Sequence, residues 1–190
     1  ALVSLSGEPL IRHVIRRIAP QVSSLLINAN GDPSRFSPFG LPVIPDPLED
    51  QGPLAGLLAA MDWALMNAHG CNSLLSVSTD TPFLPQDLVQ ALRTGAQDHA
   101  HAAPRIAMSA GRLHPVVGLW PLALRDRVQR TLHSGRLSVE KFAQSVQAIA
   151  VPFTLRTIGS VTFDPFFNAN TPGELAEAET IVALVNQMDA

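Results

Sequence analysis

The strongest constraint on the fold is an alternation. Short apolar, strand-like runs at 22–27 (VSSLLI), 41–44, 74–77, 106–108, 116–120 and 148–151 are separated by segments with a helical pattern. Several of these runs are continuously apolar, as expected of strands covered on both faces. Between them, 9–18 opens with proline and keeps Leu10, Val14 and Ile18 on one helical face. The almost wholly apolar 53–68 reads as a buried helix, and 85–93, 122–132 and 139–144 as shorter ones. A final helix starts at TPGE, where Thr171 is a good N-cap, Pro172 suits the first turn and Glu174 completes a capping box. Strands alternating with helices imply βαβ units, hence an α/β fold with a mostly parallel sheet.

Composition narrows the class. At 190 residues and 46% hydrophobic, the chain can build one domain, 1–190, around a substantial core. It has no apolar run of about 18 residues and no basic-then-apolar leader, so neither a membrane span nor a secretory signal is expected. A net charge of −3 without a Lys/Arg run argues against nucleic acid as a partner. The lone Cys71 excludes an internal disulfide and fits a reducing, cytoplasmic setting. Twelve arginines accompany a single lysine, Lys141, and the chain starts without Met on ALVSL, so the natural N-terminus is expected to lie upstream of Ala1.

In an open α/β sheet, ligands bind beyond the carboxyl ends of the strands. That rule selects four places. Asn28 leaves the 22–27 run, and its amide can donate to and accept from a base or ribose; the same NANGD stretch also reads as an Asx turn. Asp46 follows 41–44, and Gly52 precedes the Pro53 helix, where a phosphate or ribose could approach backbone amides; an acidic surface loop is the plainer alternative. Asp80, in STDTPFLP, ends the 74–77 run. One carboxylate there suffices for Mg²⁺, which takes few protein oxygens and keeps phosphates and water as its other ligands; an N-cap for a turn at Thr81-Pro82 is the alternative. Asn168 and Asn170 alternate around Ala169, which puts both on one side of an extended segment, although residues 170 and 171 also sit where a helix cap belongs.

Other candidates are weaker. His114, before Pro115 and the VVGLW run, could reach the site, though a surface or core role is the plainer reading. His99 and His101 lie in the loop-like stretch 95–104 without a third ligand nearby. Cys71 precedes a strand, a poor place for a nucleophile. No GxGxxG, GxxxxGK[ST] or Gly-x-Ser-x-Gly element occurs.

Taken in order, LSGEPLIRHV, INAN, IPDPLEDQGPLAG, STDTPFLP, LHPVVGLWP and FFNANTPGELAEAE resemble the molybdenum cofactor guanylyltransferases, within the nucleotidyltransferase superfamily. The resemblance spans essentially the whole chain. It implies a three-layer, Rossmann-like nucleotidyltransferase fold. It also implies transfer of GMP from GTP to molybdopterin or molybdenum-molybdopterin, giving the guanine dinucleotide form and pyrophosphate with Mg²⁺ as cofactor. By position, Asn28, Asp46 and Gly52 match nucleotide-site residues, Asp80 the catalytic Mg²⁺ ligand, and His114, Asn168 and Asn170 the pterin side. No stretch of the sequence marks an oligomer interface, so a monomer is expected, with transient contacts to other cofactor-biosynthesis proteins or molybdoenzymes. The family opens with a strand and a glycine-rich loop carrying Arg and Lys. The first residues here match the segment just after that lysine, so the domain is expected to lack both strand and loop. A cytidylyltransferase of the same pterin is the nearest alternative; such relatives tend to carry DIDTP where this chain has NANTP. A catalytically silent nucleotide-binding module and a sugar-phosphate nucleotidyltransferase are the others.

Overall fold

Burial along β-branched runs and proline-opened helices sets the architecture in the computed structural model, which describes residues 1–47, 52–94, 103–135 and 138–188, the side chains of 186–188 excepted. In chain order the elements are β1 (Ser4–Leu5), β2 (Glu8–Pro9), α1 (Leu10–Ile18), β3 (Ile27–Asn28), β4 (Val43–Ile44), α2 (Gly52–Asn67), β5 (Ser73–Ser76) and α3 (Leu88–Thr94). They continue with β6 (Arg105–Ser109), β7 (Arg112–Pro121), α4 (Arg125–His133), α5 (Val139–Ser145), β8 (Ile149–Phe153), β9 (Arg156–Ile158), β10 (Val161–Phe163) and α6 (Pro172–Met188).

The α/β class is as expected, and the sheet pairing is mixed. The four-stranded sheet runs β5-β7-β6-β8, with β6–β8 parallel and β5–β7 and β6–β7 antiparallel. A separate pair, β3–β4, is parallel. The antiparallel element comes from a two-residue turn between β6 and β7, Ala110 and Gly111, both at positive φ (47° and 74°). That geometry matches the twist of a tight hairpin. The pairing jumps from Ile106↔Gly118 to Ala107↔His114, so residues 115–117 bulge out of the ladder. Pro115 lies inside this bulge, where its missing N–H breaks no ladder bond.

Alternation along β7 sends Trp120 to one face and Leu119 to the other. On one side Trp120 and Ile106 pack with Leu54, Met61, Val128 and Phe142 of α2, α4 and α5. On the other, Leu119, Ala107 and Val151 pack with Val14, Ile18 and Leu88 of α1 and α3. The result is a three-layer α/β/α arrangement. α6 closes one end with Leu5, Phe83 and Phe163. Arg125 of α4 pins α2 through two bonds to the Asp62 carboxylate (2.6 and 3.2 Å), which hold its guanidinium pKa above the ordinary value.

β3 is shorter than the 22–27 run predicts, because it pairs on one edge only. Its other edge, and the free edge of β5, flank a cavity of about 600 Å³ whose walls include Val14 and Ile18 of α1 and Leu57 and Ala64 of α2. His99 and His101, weaker candidates in the sequence, lie outside the described residues.

Candidate active site

The end of β3 carries a polar cluster built from local sequence. Asn28 Nδ2 donates to the Ile44 carbonyl (3.1 Å) and to Asp46 Oδ1 (3.0 Å). Asn30 Nδ2 donates to Asp46 Oδ2 (2.9 Å), and the Asp46 amide donates back to Asn30 Oδ1 (2.8 Å). Two side-chain amides thus clamp one carboxylate, and the Asn28 side-chain amide donates both to Asp46 and to the Ile44 carbonyl. Asn28 is therefore a holder of Asp46. Close approach of α2 fixes it further: a Cβ on Gly56 would lie 2.2 Å from Asn28 Oδ1 and 3.2 Å from Asp46 Oδ1. Only glycine lets the helix pass this near the cluster.

Gly52, expected at the nucleotide site, begins α2 at φ +66°, a conformation that favours glycine. The first N–H groups of a 16-residue helix are turned toward its N-terminal end.

Asp80 follows β5. Its Oδ1 accepts a bond from Ser78 Oγ, and among the described residues Oδ2 has no hydrogen-bond partner. The chain does turn at Pro82 and Phe83, but among the described residues the Asp80 carboxylate accepts no backbone amide there, so it does not cap that turn; α3 begins only at Leu88. The backbone of Asp80 is held instead: its carbonyl accepts from the Ala169 amide (3.0 Å). Thr81, 1% exposed, donates to Asn168 Oδ1 (2.9 Å). Asn168 and Asn170 are both exposed around buried Ala169, as the alternation predicts. The Asn170 and Thr171 amides donate to Glu174 Oε2 (3.0 and 2.8 Å), and Thr171 Oγ1 accepts from the Glu174 amide (3.2 Å), which is the expected capping box.

His114 sits across the hairpin from Ala107. Its Nε2 lies 2.6 Å from Ser109 Oγ, which in turn donates to Asp164 Oδ2 (2.6 Å). Burial, with Arg112 nearby, lowers the imidazole pKa below 6.5 against the opposing pull of Asp164.

The cavity between β3 and β5 is lined by Asn28, Pro53, Gly56 and Thr79. The Asp46 cluster and the residue preceding Asp80 therefore border one opening. His114, Asn168 and Asn170 do not line it. Asn168 is tied to Thr81 and Ala169 to the Asp80 carbonyl, Asn170 bonds Glu174, and His114 stands apart with Ser109 and Asp164. Sequence reasoning passed over Asn30, although its alternation with Asn28 is the pattern used at 168–170. It also passed over Ser109 and Asp164, which no local signal marks. Among the described residues no group of three or more His, Cys, Asp or Glu gathers to hold a metal. A hard cation would still find in Asp80 one carboxylate with a free oxygen, partly exposed at a strand exit, and that donor set fits an ion completing its shell with phosphates and water.

The domain is a three-layer α/β fold with acidic groups at its strand exits, and the comparisons place it among the nucleotidyltransferases. Residues 1–149 match the family described as MobA-like NTP transferase domain. The chain is 44% identical over 182 residues to a molybdenum cofactor guanylyltransferase of Rhodopseudomonas palustris (strain BisB5), covering 95% of this chain and 84% of that protein. It is likewise 44% identical over 181 residues to that of Rhodobacter capsulatus, covering 94% and 85%. The fold is similar to a molybdopterin-guanine dinucleotide biosynthesis protein A from Archaeoglobus fulgidus (TM-score 0.69, 22% identity, 96% of this chain and 89% of that one). It is also similar to a 2-C-methyl-D-erythritol 4-phosphate cytidylyltransferase from Thermus thermophilus (TM-score 0.64, 14% identity, 96% and 93%). The chain belongs to the molybdenum cofactor guanylyltransferase family of nucleotidyltransferases. No helix among the described residues is long and apolar enough to cross a membrane.

Proposed function

We propose that this domain transfers GMP from GTP to the molybdopterin cofactor, with Asp80 holding the Mg²⁺ that accompanies the nucleotide. The observation that carries the reading is the Asp80 carboxylate: it leaves β5 with one oxygen unpaired among the described residues, beside the opening that the Asn28–Asp46–Asn30 cluster borders. In the reaction, a phosphate oxygen of the pterin forms a bond to the α-phosphorus of GTP, the bond from that phosphorus to the bridging oxygen breaks, and pyrophosphate leaves. The attacking oxygen is already anionic near neutral pH, so no general base is needed. Mg²⁺ held by Asp80 would supply neutralisation of charge building on the departing pyrophosphate.

The chain's own residues supply alignment. Asp46, clamped by Asn28 and Asn30, presents an acceptor of fixed direction for hydroxyl or N–H donors of the nucleotide. The N-terminal end of α2 at Gly52 offers amide donors and a positive dipole end to phosphate. Asn168 and Asn170 are exposed on either side of Ala169, whose amide bonds the Asp80 carbonyl, which supports giving them the acceptor side.

The test is pyrophosphate release by full-length protein with molybdopterin and Mg²⁺, comparing GTP with CTP. GTP is expected to support turnover at least about tenfold faster, the factor that about 1.4 kcal/mol of discrimination provides. Equal rates, or preference for CTP, would overturn guanylyl transfer. Turnover unchanged by chelation of divalent metal would overturn the role given to Asp80.

A further inference from the structure

Residues 164–170 tie two distant places together. At one end, Asp164 is satisfied on both carboxylate oxygens: Oδ2 by Ser109 Oγ (2.6 Å) and Oδ1 by the Phe166 amide (2.8 Å). Ser109 is 2% exposed, so its hydroxyl must find its partners inside the protein. Its single proton goes to the carboxylate, so its oxygen accepts the Nε2–H of His114 (2.6 Å). The imidazole then lies against Phe166 (centroids 4.8 Å apart), and Phe166 meets Phe153 of β8 edge-on at 5.0 Å. At the other end, Ala169 donates to the Asp80 carbonyl, Asn168 accepts from Thr81, and Phe167 packs 6.4 Å from Phe83.

A serine, a histidine and an aspartate in contact invite comparison with a nucleophile and its base. The geometry excludes that role. The hydroxyl proton points at the carboxylate instead of the imidazole, the oxygen is buried, and Asp164 touches the serine where a relay would need it on the far ring nitrogen. The cluster instead fastens the segment. Asp164 to Phe167 closes a turn, the Phe167 amide donating to the Asp164 carbonyl (3.0 Å), so fixing Asp164 fixes where the open stretch after Phe167 begins; there the chain advances about 3.3 Å per residue, and a slip of one position would carry Asn168 and Ala169 out of bonding range of Thr81 and Asp80.

We propose that Ser109, His114 and Asp164 are positioning residues: they anchor segment 164–170 across the exit of β5 and so hold the Asp80 carboxylate where the nucleotide's metal needs it. The inference rests on the reading of Asp80 given above. It assigns to the β6–β7 hairpin, with its bulge and tight turn, the task of bringing Ser109 and His114 under one remote carboxylate.

The test uses full-length Ser109→Ala and Asp164→Asn. Both should raise amide exchange at Ala169 by about tenfold or more while exchange at Met61 and Trp120, in the main core, stays at parent values. Both should lower kcat about tenfold with KM for GTP within about twofold, since alignment is lost and nucleotide contacts remain. The His114 side-chain ¹⁵N signals should report an Nε2–H tautomer in the parent and a changed pattern in both variants. Unchanged Ala169 exchange overturns the anchoring, and faster exchange with unchanged kcat overturns its link to Asp80. Mn²⁺ binding by Asp80→Asn, read by electron paramagnetic resonance, tests the metal assignment by itself. Retained binding there sinks that assignment and leaves the exchange result standing.

Discussion

Gly56→Ala puts the design of the β3 rim to a quantitative test. In an ordinary helix interior this substitution stabilises by about 1 kcal/mol, because glycine is the poorer helix former. Here the new methyl would stand 2.2 Å from Asn28 Oδ1, so the asparagine must swing away. Leaving its place breaks the bond to the Ile44 carbonyl, worth about 1 kcal/mol, and the bond to the Asp46 carboxylate, worth about 2 kcal/mol since its acceptor is charged. The net expectation is destabilisation of about 2 kcal/mol, opposite in sign to the propensity effect. Urea unfolding of the parent, Gly56→Ala, Asn28→Gly and the double variant gives the coupling energy directly. In the Asn28→Gly background the alanine should become neutral or stabilising. Nucleotide affinity should fall with Gly56→Ala, because Asp46 loses one arm of its clamp. If Gly56→Ala is as stable as the parent, or the coupling is below about 0.5 kcal/mol, the reasoning fails.

Three further outcomes are expected. Ser78→Ala should weaken Mg²⁺-dependent turnover about tenfold at limiting metal, and Asp80→Asn by more, because a ligand and the group that orients it both set affinity; metal titrations check this. His114 titrates below 6.5 in the fold, so the unfolded chain binds more protons on acidification; the stability due to the neutral ring is complete above about pH 6.5 and shrinks as pH falls below it. In His114→Gln the urea midpoint should therefore depend less on pH in that window, and an unchanged slope would show that His114 is not the group responsible. Thr171→Ala should cost about 1 kcal/mol through loss of the N-cap and speed amide exchange at Glu174, read by denaturation and by exchange.

Much of the fold is legible along the chain because it depends on neighbours in sequence. The apolar runs at 74–77, 106–108 and 148–151 coincide closely with β5, β6 and β8, and the apolar 53–68 becomes α2, where it packs against the sheet. The TPGE box forms as its spacing requires, since all its groups lie within one turn of helix. Pro85 does not open its helix: residues 85–87 precede α3, and Gln21, 68 positions before Val89, accepts that residue's amide near the start of the helix. The β9–β10 hairpin carries no continuous apolar run, since Arg156, Thr157 and Thr162 interrupt it, so no strand signal marks it in the sequence. Of the candidate site, Asn28, Asp46 and Asp80 were visible as polar residues after strand runs. Asn28's role as a clamp was not, because it depends on how close α2 comes.

Apolar periodicity, caps and the polar residues closing each strand were thus determined by the sequence alone, since each reports a balance of burial and hydrogen bonding among adjacent residues. Tertiary structure alone decided that β7 lies antiparallel between β5 and β6, that Gly56 brings α2 against Asn28, and that Ser109 meets Asp164 from 55 positions away. Those pairings arise from packing summed over the whole core, and no single stretch of chain carries them.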